Sequence, residues 1–253
     1  MKISVVVPVF NDVLHIRDCL ESIIKQNYFD TEILVFDAGS TDGTLAILKE
    51  YKRFFAFFRS QPDNGQVEVL NLAAKKYATG DIFCWLNSDD MLEDGAFKQI
   101  SELFRNNGLK ILYGNCKWIL EDGSFHPHPC KGDRSLLKIL MYWKFHTLPQ
   151  CSVFMRTSIF EEIGYLNPMY DLAFDYDFWL RCAQRTKTIQ YFDHDFSYYR
   201  LHPNAKTVKY HAKALSSLES ISRKFLKDLP IHKRVIYSLS EKFSDSKYLS
   251  KNA

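Results

Sequence analysis

Residues 82–90, with the sequence Ile-Phe-Cys-Trp-Leu-Asn-Ser-Asp-Asp, join an apolar run to a pair of carboxylates. The apolar run Ile82–Leu86 predicts a buried strand, and Asp89 and Asp90 follow just beyond its carboxyl end. Adjacent carboxylates repel each other, and a bound Mg²⁺ or Mn²⁺, which also binds substrate phosphates, relieves that repulsion. The stretch therefore indicates a metal–nucleotide site. The alternative is that its polar residues cap a helix that begins near Leu92.

This strand is the fourth in a strand–helix alternation that fills the first hundred residues. The predicted strands are Ile3–Val9, Glu32–Phe36, Phe54–Phe58 and Ile82–Leu86, and the predicted helices are Leu14–Gln26 (capped by Asn11-Asp12), Thr44–Lys52 and Gln66–Tyr77. Such alternation implies parallel strands joined by right-handed crossovers, so we predict an α/β, doubly wound, mostly parallel sheet. Ligands of such sheets bind outside the carboxyl ends of the strands, and all four ends here are polar.

The alternation weakens after residue 107. The sequence then predicts strands at 111–113, 116–120, 151–155, 189–192 and 196–200, a short helix opened by a Ser158–Glu161 capping box and ended by Gly164, and a helix over Asp175–Gln184. From Thr207 the pattern is helical, with a break at Pro230. We therefore predict that residues 1–108 and 109–206 form two halves of one domain and that residues 207–253 form a helical C-terminal extension.

The composition places the chain among ordinary globular proteins. It has 253 residues, of which 46% are apolar and 25% charged, so one large domain can bury a core. No apolar run reaches the roughly 18–20 residues that span a bilayer, and the N terminus lacks the features of a signal peptide. The six cysteines have no metal-binding spacing, which predicts free thiols and a cytoplasmic location.

The C-terminal extension is basic. From Asn204 onward eleven Lys and Arg face four Asp and Glu, a net charge of +7, which leaves −4 for residues 1–203 of a chain whose net charge is +3. We predict that Lys233–Lys251 contacts an anionic membrane surface. For Leu215–Ile221 we favour the alternative, in which apolar residues at helical spacing pack on the domain. The chain has no recognisable nucleic-acid-binding module, so we expect no nucleic-acid partner.

Four segments in the same order resemble glycosyltransferase family 2, whose members have the GT-A fold. They are Val5–Asn11, Asp37–Thr44, Asn87–Asp90 and Asp175–Arg181. The resemblance covers residues 1 to about 207, and the ordered set is far more specific than any single motif. It implies an inverting, metal-dependent transfer of a sugar from a nucleotide-sugar donor to an acceptor hydroxyl.

The resemblance also implies a donor that lies across the strand ends. The residues it assigns to the donor are Pro8, Val9, Phe10, Asn11, Asp37, Asp63, Asn64, Gln66, Asn87, Ser88, Asp89 and Arg200. Val9 and Phe10 would border the base, and the alternative for Phe10 is packing in the core. Ala38 replaces an acid of the family near the base, although uridine is the family's most frequent nucleotide. The alternative for Asp63 and Asn64 is a plain turn.

The metal and the catalytic base are implied in the same way. Asn87 replaces the first acid of the family's metal-binding motif, so Asp89, Asp90 and His202 would bind Mn²⁺ or Mg²⁺, which neutralises the leaving diphosphate. Arg200 would hold a phosphate. Asp175 aligns with the family's catalytic acid and would take the acceptor proton. The alternative is that Asp175 caps its helix.

Asp177 lies four residues before Arg181, and here we favour a structural ion pair across one helical turn over a role in catalysis.

The resulting hypothesis is a transferase that uses a nucleotide sugar, implied to be a UDP-sugar, and a saccharide or lipid-linked saccharide acceptor. The implied setting is surface polysaccharide or glycolipid synthesis at the cytoplasmic face of a membrane. One rival is a sugar nucleotidyltransferase, although residues 8–12 lack the Gly-rich, basic loop of that class. The other rival is a non-catalytic scaffold. Three residues that depart from the family's pattern favour it, namely Ala38, Leu70 and Asn87, whereas the acids that match the family's pattern oppose it.

Overall fold

The computed structural model describes residues 1–244 apart from 107, 129, 131–134, 142–147 and 187. Nine strands are found in this part of the chain: β1 Ile3–Val9, β2 Thr31–Asp37, β3 Phe55–Ser60, β4 Ile82–Trp85, β5 Met91–Leu92, β6 Ile111–Ile119, β7 Phe125–His128, β8 Val153–Arg156 and β9 Ile189–Arg200. The helices there are α1 Ile16–Ile24, α2 Thr44–Tyr51, α3 Gln66–Lys76, α4 Ala96–Asn106, α5 Leu136–Leu140, α6 Ile159–Ile163, α7 Phe174–Arg185, α8 Lys206–Lys209, α9 His211–Leu226 and α10 Ile231–Ser244.

The strands form one sheet with the order β3-β2-β1-β4-β8-β6-β9-β5, and β7 pairs with the far part of β6. β1 is parallel to β2 and β4, β2 is parallel to β3, and β6 is parallel to β9. Most paired residues therefore lie in parallel ladders, and the predicted α/β fold class is confirmed. The antiparallel strand β8 joins the two halves of the sheet through β4 and β6.

The first half of the chain follows the sequence prediction closely. Each of its four strands and three helices lies within two residues of its predicted ends. One detail differs, because Asn11-Asp12 does not cap α1. That helix begins at Ile16, and the carboxylate of Asp12 contacts the ring of His15 and the hydroxyl of Ser88 instead.

The polar run at 87–90 does not cap a helix near Leu92, so this alternative is wrong. Residues 87–90 form a turn, closed by a 3.1 Å hydrogen bond from the Asp90 amide to the Asn87 carbonyl. Met91–Leu92 then pairs with β9, with Met91 opposite Tyr198. Since this pairing takes up the backbone groups that a helix would need, the helix starts later, at Ala96.

In the second half, two pairs of predicted strands are continuous. β6 runs through Gly114 and β9 through residues 193–195, with shifts in register at the bulge between them. A Cβ at Gly114 would lie 2.5 Å from the His194 carbonyl oxygen, so only glycine allows the two strands to approach so closely. The glycine is therefore part of the strand rather than its end.

The predicted capping box at Ser158 is also wrong. Ser158 makes no side-chain cap hydrogen bond, because its own φ of −62° and ψ of −12° are already helical rather than extended. Gly164 does end this helix, with a φ of +93°. The six cysteines are free, as predicted, and all of them are buried.

The C-terminal helices pack on the domain. Ile221, Phe225, Leu229 and Tyr237 belong to the core cluster on the α7 face of the sheet, and Leu218 packs against it. The packing predicted for the first part of α9 is therefore confirmed at Leu218 and Ile221. None of the described helices is both long enough and apolar enough to cross a bilayer. Residues 245–251, part of the predicted membrane-contacting segment, lie outside the described residues.

Candidate active site

The loops after β1 and β2 hold each other in place at the carboxyl edge of the sheet. The Asn11 amide donates to the Ser40 hydroxyl at 2.8 Å, and the Thr41 amide donates to the Asn11 side chain at 2.8 Å. Asn11 has a φ of +49°, a left-handed conformation that asparagine tolerates better than most residues. The residues of these two loops that we predict to bind the nucleotide-sugar donor are thus tied together and form one wall of the site.

Asp37, at the end of β2, is buried within this wall. Its carboxylate accepts hydrogen bonds from the amide and hydroxyl of Ser40 and, at 2.6 Å, from the hydroxyl of Ser60 at the end of β3. It therefore ties three strand ends together. Contact between Asp37 and the donor stays a prediction, and it would be made from a carboxylate whose orientation is already fixed.

Phe10 does not pack in the core, so this alternative is wrong. Its side chain is 60% exposed, whereas its neighbour Val9 is buried. An exposed ring at a strand end offers a flat apolar face to a planar ligand. The turn after β3 is an Asx turn, in which the Gly65 amide donates to Asp63 at 2.8 Å and Asn64 is exposed.

Asn87 lies at the centre of an amide network. Its carbonyl oxygen accepts a 2.7 Å hydrogen bond from Gln66, the first residue of α3, and its NH₂ group donates to Gln150 at 3.1 Å. The NH₂ group of Gln150 in turn donates to the carbonyl of Trp85 at 2.7 Å. The residue that replaces the family's first acid is therefore fully hydrogen-bonded and joins α3 to the segment before β8.

Asp89 and His202 come together although they are far apart in sequence. His202 Nε2 lies 3.0 Å from Asp89 Oδ2, because the pairing of β5 with β9 returns residues 198–202 to the turn after β4. The hydrogen bond to Asp89 raises the pKa of His202 above its ordinary value. Both side chains are partly exposed, so the pair is accessible from solvent.

Asp90, unlike Asp89, is not accessible to solvent. It is only 1% exposed, and it accepts hydrogen bonds from the Arg200 amide at 3.1 Å and from Asn87 at 3.3 Å. Burial, followed by the charge of Asp89, raises the pKa of Asp90 well above its ordinary value. Direct contact of Asp90 with a metal stays a prediction, and it would require the carboxylate to give up one of these partners.

Arg200 is held by the protein rather than left free for a ligand. Its Nε donates to the Asp89 carbonyl at 3.1 Å, and one terminal nitrogen donates to Asp18 at 3.0 Å. A phosphate bound by Arg200 would therefore compete with the partly exposed Asp18. In the described state Arg200 fixes the turn that carries Asp89.

Asp175 lies in the first turn of α7. Phe174 and Trp179 of this helix pack on Trp85, and the two indole rings stack with centroids 5.7 Å apart. Because Trp85 is the last residue of β4, this packing holds the start of α7 beside the turn that follows that strand. Burial raises the pKa of Asp175, whose carboxylate contacts the amide of Tyr176 at 2.8 Å.

Asp177 has the structural role that the sequence favoured. Its carboxylate accepts a 2.8 Å hydrogen bond from Arg181 Nε, one helical turn later, and is buried. The Arg181 guanidinium also donates to the carbonyl of Tyr165 at 2.9 Å, near the end of α6. The predicted ion pair is confirmed.

Two polar residues at this site were not identified from the sequence. Asp12 and His15 lie beside His202, with the two imidazole centroids 4.7 Å apart. A signal was present, since an Asp three residues before a His at a helix start places both side chains on one side of the chain.

The chemistry of this cluster suits a divalent cation. Asp12, Asp89 and Asp90 bring three carboxyl groups to this edge of the sheet, and Asp89 and His202 supply oxygen and nitrogen donors in contact with each other. Within the described residues, no group of three or more His, Cys, Asp or Glu side chains is already arranged as a complete metal site. Phosphate oxygens and water would have to complete the coordination, as is usual for Mg²⁺.

Comparison with known proteins identifies the family. Residues 4–164 match the model of the family described as glycosyl transferase family 2, which is more than half of the chain. The chain belongs to glycosyl transferase family 2. An uncharacterised glycosyltransferase of Rickettsia typhi is 25% identical over 233 residues, which cover 90% of this chain and 72% of the relative. The glycosyltransferase GlyA of Streptococcus pneumoniae is 30% identical over 129 residues, which cover 50% of this chain and 18% of GlyA.

Solved structures of S. aureus TarS have the same fold. A crystal structure of S. aureus TarS 1–349 in complex with UDP superposes with a TM-score of 0.70 at 23% identity, and the match covers 92% of this chain and 68% of that structure. The complex with UDP-GlcNAc gives a TM-score of 0.66 at 21% identity and covers 92% and 78%. The chain spans 41% of a longer TarS structure. The GT-A fold predicted for this glycosyltransferase is therefore confirmed.

Proposed function

We propose that the chain transfers a sugar from a uridine diphosphate sugar to an acceptor hydroxyl, with inversion at the anomeric carbon. The observation that carries this proposal is the pairing of Asp89 with His202 at the carboxyl edge of the sheet, in the turn after the strand whose Trp85 packs on the helix that begins with Phe174 and Asp175. The complexes of TarS with UDP and with UDP-GlcNAc support the class of donor.

The residues divide into a donor side and an acceptor side. Phe10 offers its exposed ring to the base, and the wall that contains Asn11 and Asp37 borders the ribose. Asp175 takes the proton of the acceptor hydroxyl as its oxygen attacks the anomeric carbon from the face opposite the diphosphate. A single displacement of this kind inverts the configuration.

Asp89 and His202 would hold Mn²⁺ or Mg²⁺. The bound ion would supply positive charge that offsets the negative charge of the leaving diphosphate.

A thermal-shift screen of nucleotide sugars with Mn²⁺ tests the donor class. A donor present at 100 times its dissociation constant should stabilise the protein by about 2.7 kcal/mol, so UDP-sugars should raise Tm by several degrees. GDP- and dTDP-sugars are the matched controls. If no nucleotide sugar shifts Tm, the proposed donor is wrong. Release of pyrophosphate from UTP and a sugar phosphate would instead support the nucleotidyltransferase alternative.

We also propose that the acceptor is a saccharide or lipid-linked saccharide and that α10 contacts an anionic membrane on the cytoplasmic side. Tyr237 of α10 is buried on the domain, whereas Ile231, Val235 and Leu239 are exposed at intervals of one helical turn. Ile231 is the most exposed of the three, at 77%. Basic residues lie near this stripe in the sequence: Lys233 and Arg234 in α10, and Arg223, Lys224 and Lys227 at the end of α9. An apolar face with basic flanks matches the interface of an anionic bilayer.

Co-sedimentation with vesicles tests this contact. Wild-type protein should bind vesicles that contain phosphatidylglycerol more strongly than neutral vesicles, because each basic residue near an anionic leaflet contributes about 1 kcal/mol. The triple variant Ile231→Ser, Val235→Ser, Leu239→Ser should lose most of this binding. Phe29→Ser is the control, since it removes an even more exposed apolar residue, which lies in the loop before β2. Equal binding by the triple variant and wild type, or no binding at low salt, would show that α10 does not dock on membranes.

A further inference from the structure

Asp12 connects the two residues of the proposed metal pair. One of its carboxylate oxygens, Oδ1, lies 2.6 Å from His15 Nδ1, and the other, Oδ2, accepts a 2.7 Å hydrogen bond from the Ser88 hydroxyl. Ser88 is the residue before Asp89, and the His15 ring packs against the His202 ring. A continuous path of contacts therefore runs from one member of the pair to the other through Asp12.

The backbone around Asp12 is anchored at several points. The Asp12 amide donates to the Thr44 hydroxyl at 2.8 Å, and the next amide, that of Val13, donates to Asp42 at 3.0 Å. Asp42 also accepts hydrogen bonds from the amide and hydroxyl of Thr44 at the start of α2. Asp12 and His15 are mostly buried, with side-chain exposures of 14% and 17%. The carboxylate is thus held from outside the metal pair, so it can fix the position of that pair.

We propose that Asp12 and His15 form a brace that sets the separation and orientation of Asp89 and His202 for a divalent cation. This inference rests on the proposed metal pair. Hydrogen-bonded neighbours of metal ligands orient them, and loss of such a neighbour typically lowers metal affinity by 10- to 100-fold. Asp12 and His15 are positioning residues in this scheme, because they act through Ser88, Asp89 and His202 and need not touch the ion.

The brace and simple packing of His15 beside His202 predict different metal binding for the variant His15→Phe. If His15 only fills space beside His202, then His15→Phe, which keeps an aromatic ring there, should bind metal like wild type. If the link to Asp12 orients His202, His15→Phe should weaken metal binding although the packing is retained. Ser88→Ala breaks the other arm of the brace without changing any charge.

The test is a titration with Mn²⁺ in the presence of UDP, followed by the electron paramagnetic resonance signal of free Mn²⁺. Asp12→Ala should weaken Mn²⁺ binding about 10- to 100-fold, and His15→Phe and Ser88→Ala should each weaken it about 10-fold. Glu21→Ala is the matched control, because it removes a carboxylate of α1 that contacts Lys25 and Tyr51 but neither arm of the brace. It should bind Mn²⁺ nearly as wild type does. Thermal unfolding without metal checks that each variant is folded.

The outcomes separate this inference from the proposed function. If wild type and Asp89→Ala bind Mn²⁺ equally, or if neither binds it, the proposed metal pair is wrong, and the proposed brace is then wrong as well. If wild type binds Mn²⁺ and Asp89→Ala does not, the proposed metal pair is supported. The brace is then overturned if Asp12→Ala, His15→Phe and Ser88→Ala all match Glu21→Ala. Should Asp12→Ala fail to fold, His15→Phe and Ser88→Ala decide the question.

Discussion

Asp175→Asn should lower kcat about 10²- to 10⁴-fold and leave the affinity for the donor close to that of the wild type. The asparagine keeps the shape of the side chain and can still accept the hydrogen bond from the Tyr176 amide, but it cannot take the acceptor proton. Steady-state kinetics with a UDP-sugar, together with UDP-sugar binding by calorimetry, measure the two quantities separately. Transfer by the Asn variant at nearly the wild-type rate would rule out Asp175 as the base.

The pH profile provides a second view of the same residue. A carboxylate acts as a base only when it is deprotonated, so activity should fall as the pH drops below the pKa of Asp175. Because burial raises that pKa, the fall should begin at a higher pH than for an ordinary aspartate. The acidic limb of the kcat/KM profile should disappear from the residual activity of Asp175→Asn. An unchanged acidic limb in that variant would assign it to another group.

Asp177→Asn is the matched comparison for Asp175→Asn, since the two acids lie two residues apart on α7. Asp177 is buried against Arg181, and a hydrogen bond to a charged group is worth about 1.5–3 kcal/mol. This variant should therefore lower Tm while it retains turnover below its melting temperature. Asp175→Asn should show the reverse pattern, with turnover lost and Tm preserved. The same loss of turnover in both variants would point to a general disturbance of α7 rather than to a base.

The first half of the fold was predictable because its signals are local. Ile82–Trp85 is a continuous apolar run, Ile3–Val9 is a Val-rich run interrupted by Ser4, and the helix after β1 carries a clear amphipathic pattern. The errors occur where long-range pairing overrides local preference. Residues 91–92 pair with β9, which lies more than a hundred residues later, and no local pattern encodes that partner. The sequence predicted separate strands at 111–113 and 116–120, whereas the structure has one strand through Gly114, which lets β9 approach closely.

The site shows the same difference between local signals, which the sequence carries, and long-range contacts, which it does not. The resemblance in sequence identifies Asp89, His202 and Asp175 as candidate residues. It does not distinguish the accessible Asp89 from the buried Asp90, because their exposure depends on the turn that Arg200 and Asn87 hold. The contacts of Asp12 with Ser88 and with His15 likewise require the assembled edge of the sheet. Chemical type is encoded locally, whereas orientation is set by packing.

Asp89→Ala should abolish Mn²⁺-dependent turnover, and the loss should be at least as large as that of Asp175→Asn. The substitution removes the oxygen donor of the proposed pair and leaves His202 without the partner that raises its pKa. Without a cation, the charge that develops on the leaving diphosphate is not neutralised, and metal ions supply several kcal/mol of such stabilisation. Mn²⁺-dependent binding of UDP should weaken in parallel, which calorimetry with and without a chelator measures.

Asp90→Asn is the control that shows whether one or both of the adjacent acids bind the ion. Asp90 carries the neighbouring carboxyl group, but it is buried and bonded to the Arg200 amide, so its replacement by an isosteric amide removes a potential oxygen ligand while the turn is retained. If the ion contacts Asp89 and His202 alone, Asp90→Asn should keep most of its Mn²⁺ affinity and Asp89→Ala should lose it. Equal losses would place both carboxylates on the ion, as the adjacent acids in the sequence first indicated. Turnover by Asp89→Ala that a chelator leaves unchanged would instead mean that transfer needs no metal at this site, and the charge of the leaving diphosphate would then have to be met by protein groups such as Arg200.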